Sequence, residues 1–176
     1  EEWESLPWTI VLPPTVYGPR DVDVYELFKL ARRGLRLFYG NREQWISTIY
    51  VDDLIRGMAL AATQDAAVGR AYFFTDDTPT TWADFQGLMA GLRRFPSLGL
   101  DLGRGAADLA GVFGELLTSL DGKARVLNRQ KARLNHAEAW LFDGSRARAE
   151  LGFRARVSQL EGVRRTDAWY RDEGWY

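Results

Sequence analysis

Residues 9–21 read TIVLPPTVYGPRD, an apolar run that stops at a proline pair. Trp8 to Leu12 is rich in strand formers, and Pro13 and Pro14 lack the amides a ladder needs and hold φ near −65°. The reading is a buried strand that ends at Leu12 and runs into a stiff corner. From Val24 to Arg33 the apolar residues 24, 27, 28 and 31 recur at helical spacing, and Gly34 can stop the helix. Strand followed by helix already constrains the chain towards a layered fold.

The alternation continues. Leu35–Tyr39 and Trp45–Val51 read as strands around a polar turn, and Val51–Thr63 as a helix whose Asp52 and Asp53 fit a cap and the helix dipole. Ala71–Thr75 is a further buried strand, and Thr80 or Thr81 with Asp84 signals the start of a helix reaching about Leu92. Beyond it come a Gly-rich helical tract over Gly103–Leu120, a helix near Lys123–Leu134 and a short strand at Trp140–Phe142. Two terminal helices follow, one capped by Ser145 and ending at Leu151, the other capped by Ser158 and ending near Arg171. Strands interleaved with helices favour an α/β architecture over a bundle or a sandwich. At 176 residues the length suits one domain with a sizeable core.

Several chemistries are excluded by residue supply. Cysteine is absent, which removes disulfides, thiolate nucleophiles and sulfur-ligated zinc and is compatible with a reducing cytoplasm. The one histidine, His136, sits in a charged stretch, so neither a metal centre nor a histidine-based triad is expected. No run approaches the roughly 20 apolar residues of a membrane span. With 46% hydrophobic residues, 27% charged and a formal net charge of −1, nothing demands a polyelectrolyte partner. The stretch from Gly122 to Arg165 is basic, but its cations are spread over separate helices, so a solvated face is preferred to a nucleic-acid interface.

Three apparent motifs are decoys. Gly103-Arg104-Gly105 begins a dinucleotide-binding glycine pattern, but Asp108 stands at its third position and would repel phosphate. Tyr25 and Lys29 have the Tyr-x-x-x-Lys spacing that lets an ammonium lower a phenol's pKa, yet a half-buried tyrosine beside a solvated lysine explains them better. Asp76-Asp77 with Pro79 reads as a turn rather than a carboxylate pair for catalysis.

LPPTVYGPRD followed by ISTIYVDDL resembles the C-terminal half of the extended short-chain dehydrogenase/reductases, the NAD-dependent epimerase/dehydratase and 3β-hydroxysteroid dehydrogenase-like group. AYFFTDDTPTTWADF, DGSRARAELGF and the closing AWYRDEGWY extend the likeness over essentially the whole chain. The resemblance implies the C-terminal part of a Rossmann-type fold with a small mixed α/β substrate-binding lobe. It also implies a missing N-terminal dinucleotide-binding half, where the family keeps its glycine motif, its Ser or Thr and its catalytic Tyr-x-x-x-Lys. No catalytic residue is therefore expected here, and this portion alone should be inactive and expose apolar edges.

The resemblance further implies NAD or NADP as cofactor and hydride transfer on a carbinol or carbonyl. By position, Pro13 and Pro14 lie against the nicotinamide and the Val16 backbone meets its carboxamide. Thr15, Tyr17 and Arg20 face the substrate, joined from the later strand by Gln44, Trp45 and Ser47. Leu12, where the family often has Arg, and Ile46-Ser47, where sugar-nucleotide members often carry Arg-Asp, turn the expectation towards a less polar alcohol or ketone. The expected setting is cytoplasmic, with a small-molecule substrate and a homodimer in the complete protein. The competing readings are a non-catalytic nucleotide-binding sensor of the same fold and a standalone interaction module with a basic face.

Overall fold

A computed structural model describes residues 6–39, 41–102 and 139–176. The tract 103–120, the helix near 123–134, His136 and the Gly103-Arg104-Gly105 pattern lie outside them. Strand β1 (Thr9–Leu12) pairs in parallel with β6 (Arg70–Phe73), Leu12 opposite Phe73. The chain does not end its extended course at the prolines: β2 (Thr15–Tyr17) follows at once and pairs in parallel with β5 (Thr48–Tyr50), Thr15 opposite Thr48. The sequence reading places 15–17 in the corner beyond the strand, because proline cannot donate to a ladder. Here the two donor-poor residues occupy the step where the chain leaves one partner strand for another.

Helix α1 (Val22–Arg32) begins two residues earlier than its apolar spacing suggests, because Asp21 accepts from the Asp23 and Val24 amides and caps it. It closes on Gly34, whose φ of +79° suits glycine. Strand β3 (Leu35–Tyr39) pairs in parallel with β8 (Leu98–Leu102), which the sequence reading missed: LGLDL does alternate, but over only five residues and with Gly99 and Asp101, both poor strand formers, at the intervening positions. The expected single strand Trp45–Val51 is split. Strand β4 (Trp45–Ile46) pairs antiparallel with β7 (Thr80–Thr81) and parallel with β9 (Ala139–Trp140), whereas β5 turns to β2.

Helix α2 (Val51–Thr63) leads through a 3-10 turn at Asp65–Ala67 into β6, and α3 (Trp82–Ala90) starts at Thr81, whose hydroxyl accepts from the Asp84 amide as expected. Helix α4 (Ser145–Leu151) corrects the reading of Ser145 as its cap. Ser145 is the first helical residue, and the Asp143 carboxylate accepts from both its amide and its hydroxyl, each at 2.8 Å. Helix α5 (Gln159–Asp172) does begin at a Ser158 cap. Among the described residues no helix is long and apolar enough to cross a membrane.

Two cores result. Tyr17, Phe28, Ile46, Tyr50, Phe85, Val163 and Tyr170 join α1, α3 and α5 to the strands, and Ile49, Tyr72, Phe74, Ala147, Leu151 and Phe153 join α2, β6 and α4. Asp53 refines the reading of the α2 acids. The helix has no side-chain cap, and the Asp53 carboxylate, 2% exposed, accepts instead from the Arg156 and Val157 amides (2.9 Å each) and pairs with Arg56. It ties the start of α2 to the segment leading into α5.

Candidate functional site

Ligands of open α/β sheets settle outside the carboxyl ends of parallel strands. At that end of β1 and β6 stand Pro13, Pro14 and the segment Phe73–Asp76. Pro13 is exposed, and Pro14, Thr15 and Val16 are half-buried. The Thr15 amide donates to the Ser47 carbonyl at 3.2 Å, so the corner is anchored on β5's approach. Since the Thr15 amide points at that neighbour, strand alternation turns the Val16 amide to the opposite edge of β2. The Val16 side chain packs against the second core.

Ser47 is 4% exposed and acts as a clasp. Its amide donates to the Trp140 carbonyl (2.9 Å) and its hydroxyl accepts from the Phe142 amide (3.0 Å), which brings Phe142 beside β1 and β6. There the Phe142 ring stacks on Phe73, centroids 4.9 Å apart, with Trp140 edge-on to it. Trp45, on the adjacent strand, is 49% exposed. Ser47→Ala strands the Phe142 amide, at a cost of about 1–3 kcal/mol. Thermal unfolding should show a lower midpoint; an unchanged midpoint means that water replaces the hydroxyl.

Not every expected residue reaches this surface. Tyr17 lies in the core, 1% exposed, with its ring edge-on to Tyr50 and Phe85 and its hydroxyl donating to the Gln159 carbonyl at 3.4 Å. Burial pushes its phenol up, with the Asp76 carboxylate adding, so it serves as a donor and not as a base. Gln44 is 2% exposed, and its carbonyl receives the Trp82 amide at 3.2 Å. Both contribute by holding the elements that carry the site. Arg20 is exposed, just beyond β2. Lys29 pairs with Glu26 at 2.6 Å and Tyr25 donates to the Trp175 carbonyl, in keeping with a structural role for that Tyr-x-x-x-Lys spacing. Among the described residues no group of His, Asp or Glu is arranged to hold a metal ion.

Sequence reasoning missed Phe73, Phe142 and a polar knot at Asp76. The Phe73-Phe74 doublet carries a signal, since neighbouring residues at a strand's end point to opposite faces: Phe74 enters the core and Phe73 the rim. Asp76 forms the expected turn, its carboxylate accepting from the Thr78 amide at 2.6 Å and from the Thr48 hydroxyl at 3.3 Å. Burial raises its pKa above the ordinary 3.8, opposed by hydrogen bonds from Thr78, Gln159 and Thr48, and Asp77 adds a smaller upward push. A carboxyl raised on folding contributes stability that is complete below pH 3.8 and is lost as pH rises through its folded value. Asp76→Asn, neutral throughout, should therefore gain on the wild type as pH rises above 3.8 in urea unfolding. A constant difference would mean that Asp76 is solvated.

No protein-family model matches the chain. Its curated relatives include a 2-alkyl-3-oxoalkanoate reductase from Shewanella oneidensis, 26% identical with 91% of this chain and 43% of the relative covered. Another is a ceramide reductase from Caulobacter vibrioides, 27% identical over 94% of this chain and 52% of the relative. The chain thus spans about half the length of these relatives. Among solved structures, a UDP-glucuronic acid 4-epimerase from Bacillus cereus, in complex with UDP-glucuronic acid and NAD, superposes with a TM-score of 0.70. It is 18% identical, with 96% of this chain and 46% of that chain covered. The chain has the fold of the C-terminal portion of an extended short-chain dehydrogenase/reductase. The α/β expectation and the likeness expressed in TIVLPPTVYGPRD are borne out at that level.

Proposed function

We infer that this chain is the nicotinamide-side wall and substrate lobe of an NAD(P)-dependent oxidoreductase whose dinucleotide-binding half precedes it. The observation that carries the reading is the Pro13-Pro14 corner at the carboxyl end of β1, opposite the stacked Phe73–Phe142 pair. In support of a preceding half, β1 pairs with β6 alone among the described residues. Leu6, Trp8 and Ile10, on and before β1, are 53%, 48% and 48% exposed, an apolar edge that a further strand would cover.

The bound nicotinamide supplies hydride chemistry; the chain's residues orient it and shape the pocket. Pro13 and Pro14 present a rigid face with little ordering cost, and the Val16 amide is placed for the carboxamide. Thr15, Arg20 and Trp45 face the substrate, while Ser47, Tyr17 and Gln44 hold the wall in place. With Phe73, Phe142 and Trp45 at the rim, the substrate is a ketone or alcohol with an apolar chain. The names of the two curated reductases agree with that chemistry.

The test is oxidation of NADH or NADPH by 2-alkyl-3-oxoalkanoates of increasing chain length, using the complete protein. Turnover should improve with chain length, and Trp45→Ala should raise KM for the longest by about tenfold, the loss of 1–3 kcal/mol of apolar contact. Absence of nicotinamide binding by calorimetry overturns the reading. Binding without turnover on any ketone or alcohol favours a sensor.

A further inference from the structure

Among the described residues, Arg20 is the one non-glycine residue with left-handed backbone, at φ +70°. This conformation costs a side-chain-bearing residue free energy and persists only where its surroundings hold it. The turn holds itself in part: the Asp21 amide donates to the Gly18 carbonyl at 3.3 Å, and the Asp21 carboxylate caps α1. Gly18 packs so close to α2 that it has no room for a side chain, since a Cβ there would stand 2.5 Å from Val51 Cγ1.

The remaining constraint comes from the far end of the chain. Tyr170, on α5 and 0% exposed, donates to the Asp21 carbonyl at 2.6 Å, with the Gly18 carbonyl 3.5 Å away. Its ring cannot swing aside, since Tyr25, Phe28, Trp169, Trp175 and Tyr176 surround it with centroids 4.9–5.9 Å away. Burial pushes this phenol up, and the Asp21 carboxylate adds to it, so the hydroxyl remains a donor across the physiological range.

We propose that Tyr170 is a positioning residue: its hydroxyl fixes the strained Gly18–Asp21 turn that presents Arg20, so that Arg20 can receive the carboxylate of a 3-oxo acid substrate. The substrate part rests on the oxidoreductase reading above; the clamp does not. Tyr170→Phe removes one oxygen and leaves the aromatic box intact, which separates the clamp from packing. Arg20→Gly removes the cation and also the backbone strain, because glycine adopts this conformation without penalty.

Amide hydrogen exchange on the complete protein reads the clamp. The Asp23 and Val24 amides are bonded to the Asp21 carboxylate, so they report whether the turn stays formed. In Tyr170→Phe their exchange should speed up by about fivefold or more, with the amides of α3 unchanged, and adding Arg20→Gly should restore most of the protection. Unchanged exchange at Asp23 and Val24, or an equal rise across α3, overturns the clamp. In the kinetic arm, Tyr170→Phe and Arg20→Gly should each raise KM for a 2-alkyl-3-oxoalkanoate by about tenfold, with kcat within about twofold. An unchanged KM in an active enzyme overturns the positioning role. An inactive wild type that still binds nicotinamide refutes the substrate part, and the exchange result then decides the clamp.

Discussion

Asp53→Ala should unfold at a markedly lower urea concentration, with a loss of about 3–5 kcal/mol, because it breaks a buried ion pair by removing one partner. The carboxylate is 2% exposed, while the Arg56 side chain it pairs with is 26% exposed and also donates to the Arg154 carbonyl at 2.7 Å. The variant leaves the Arg156 and Val157 amides without their acceptor and removes the counter-charge of Arg56, which keeps only the Arg154 carbonyl. Asp53→Asn keeps the shape and one good acceptor oxygen, so its loss should be smaller, about 1–3 kcal/mol. Equal losses for the two variants would show that the charge is immaterial. A loss below about 1 kcal/mol for Ala would show that the clasp is solvated like a surface pair.

Phe74→Ala should cost a similar amount, about 3–5 kcal/mol, and its cost should depend on Gly57. The Phe74 ring is 0% exposed and packs edge-on against Phe153, centroids 4.8 Å apart. Helix α2 comes so close that a Cβ on Gly57 would lie 2.6 Å from Phe74 Cδ1 and 2.9 Å from Cε1. Gly57→Ala alone should gain about 1 kcal/mol in helix propensity but lose more, about 1–3 kcal/mol, by overpacking a rigid ring. In the double variant the new methyl enters the space the ring vacated. The combined loss should then fall short of the sum by about 1 kcal/mol or more in a double-mutant cycle, and strict additivity would mean that the helix simply shifts away.

Local periodicity made most elements legible: α1, α2, α3 and the β1 and β6 strands follow from apolar spacing and from the side chains that close their ends. Partner choice was not legible. Nothing in TVY says that it pairs with TIY, because both triplets have the same strand preference for any neighbour. The site shows the same division. Thr15 and Ser47, both named from the segment likeness, are joined by a hydrogen bond next to Pro13 and Pro14, whereas Phe142 is brought beside them by a hydrogen bond to Ser47 across 95 positions. Tyr17 was misplaced for a related reason, since alternation along β2 decides which of its side chains enters the core and no count from the prolines reveals it. Asp53 looked like a local helix signal, and besides its neighbour Arg56 its partners, the Arg156 and Val157 amides, lie 103 and 104 positions away.

The Tyr170 contact with Gly18 and Asp21 spans 152 and 149 positions. During synthesis, the Gly18–Asp21 turn must therefore wait for its brace until helix α5 has left the ribosome. At about 5–20 residues per second that delay lasts on the order of ten seconds, longer than a helix or hairpin needs to form. Over that interval the proline corner can be stiff while the turn beyond it is still loose. A nascent chain halted before residue 159 should accordingly be cut by protease near Gly18, and one in which α5 has emerged and folded should resist.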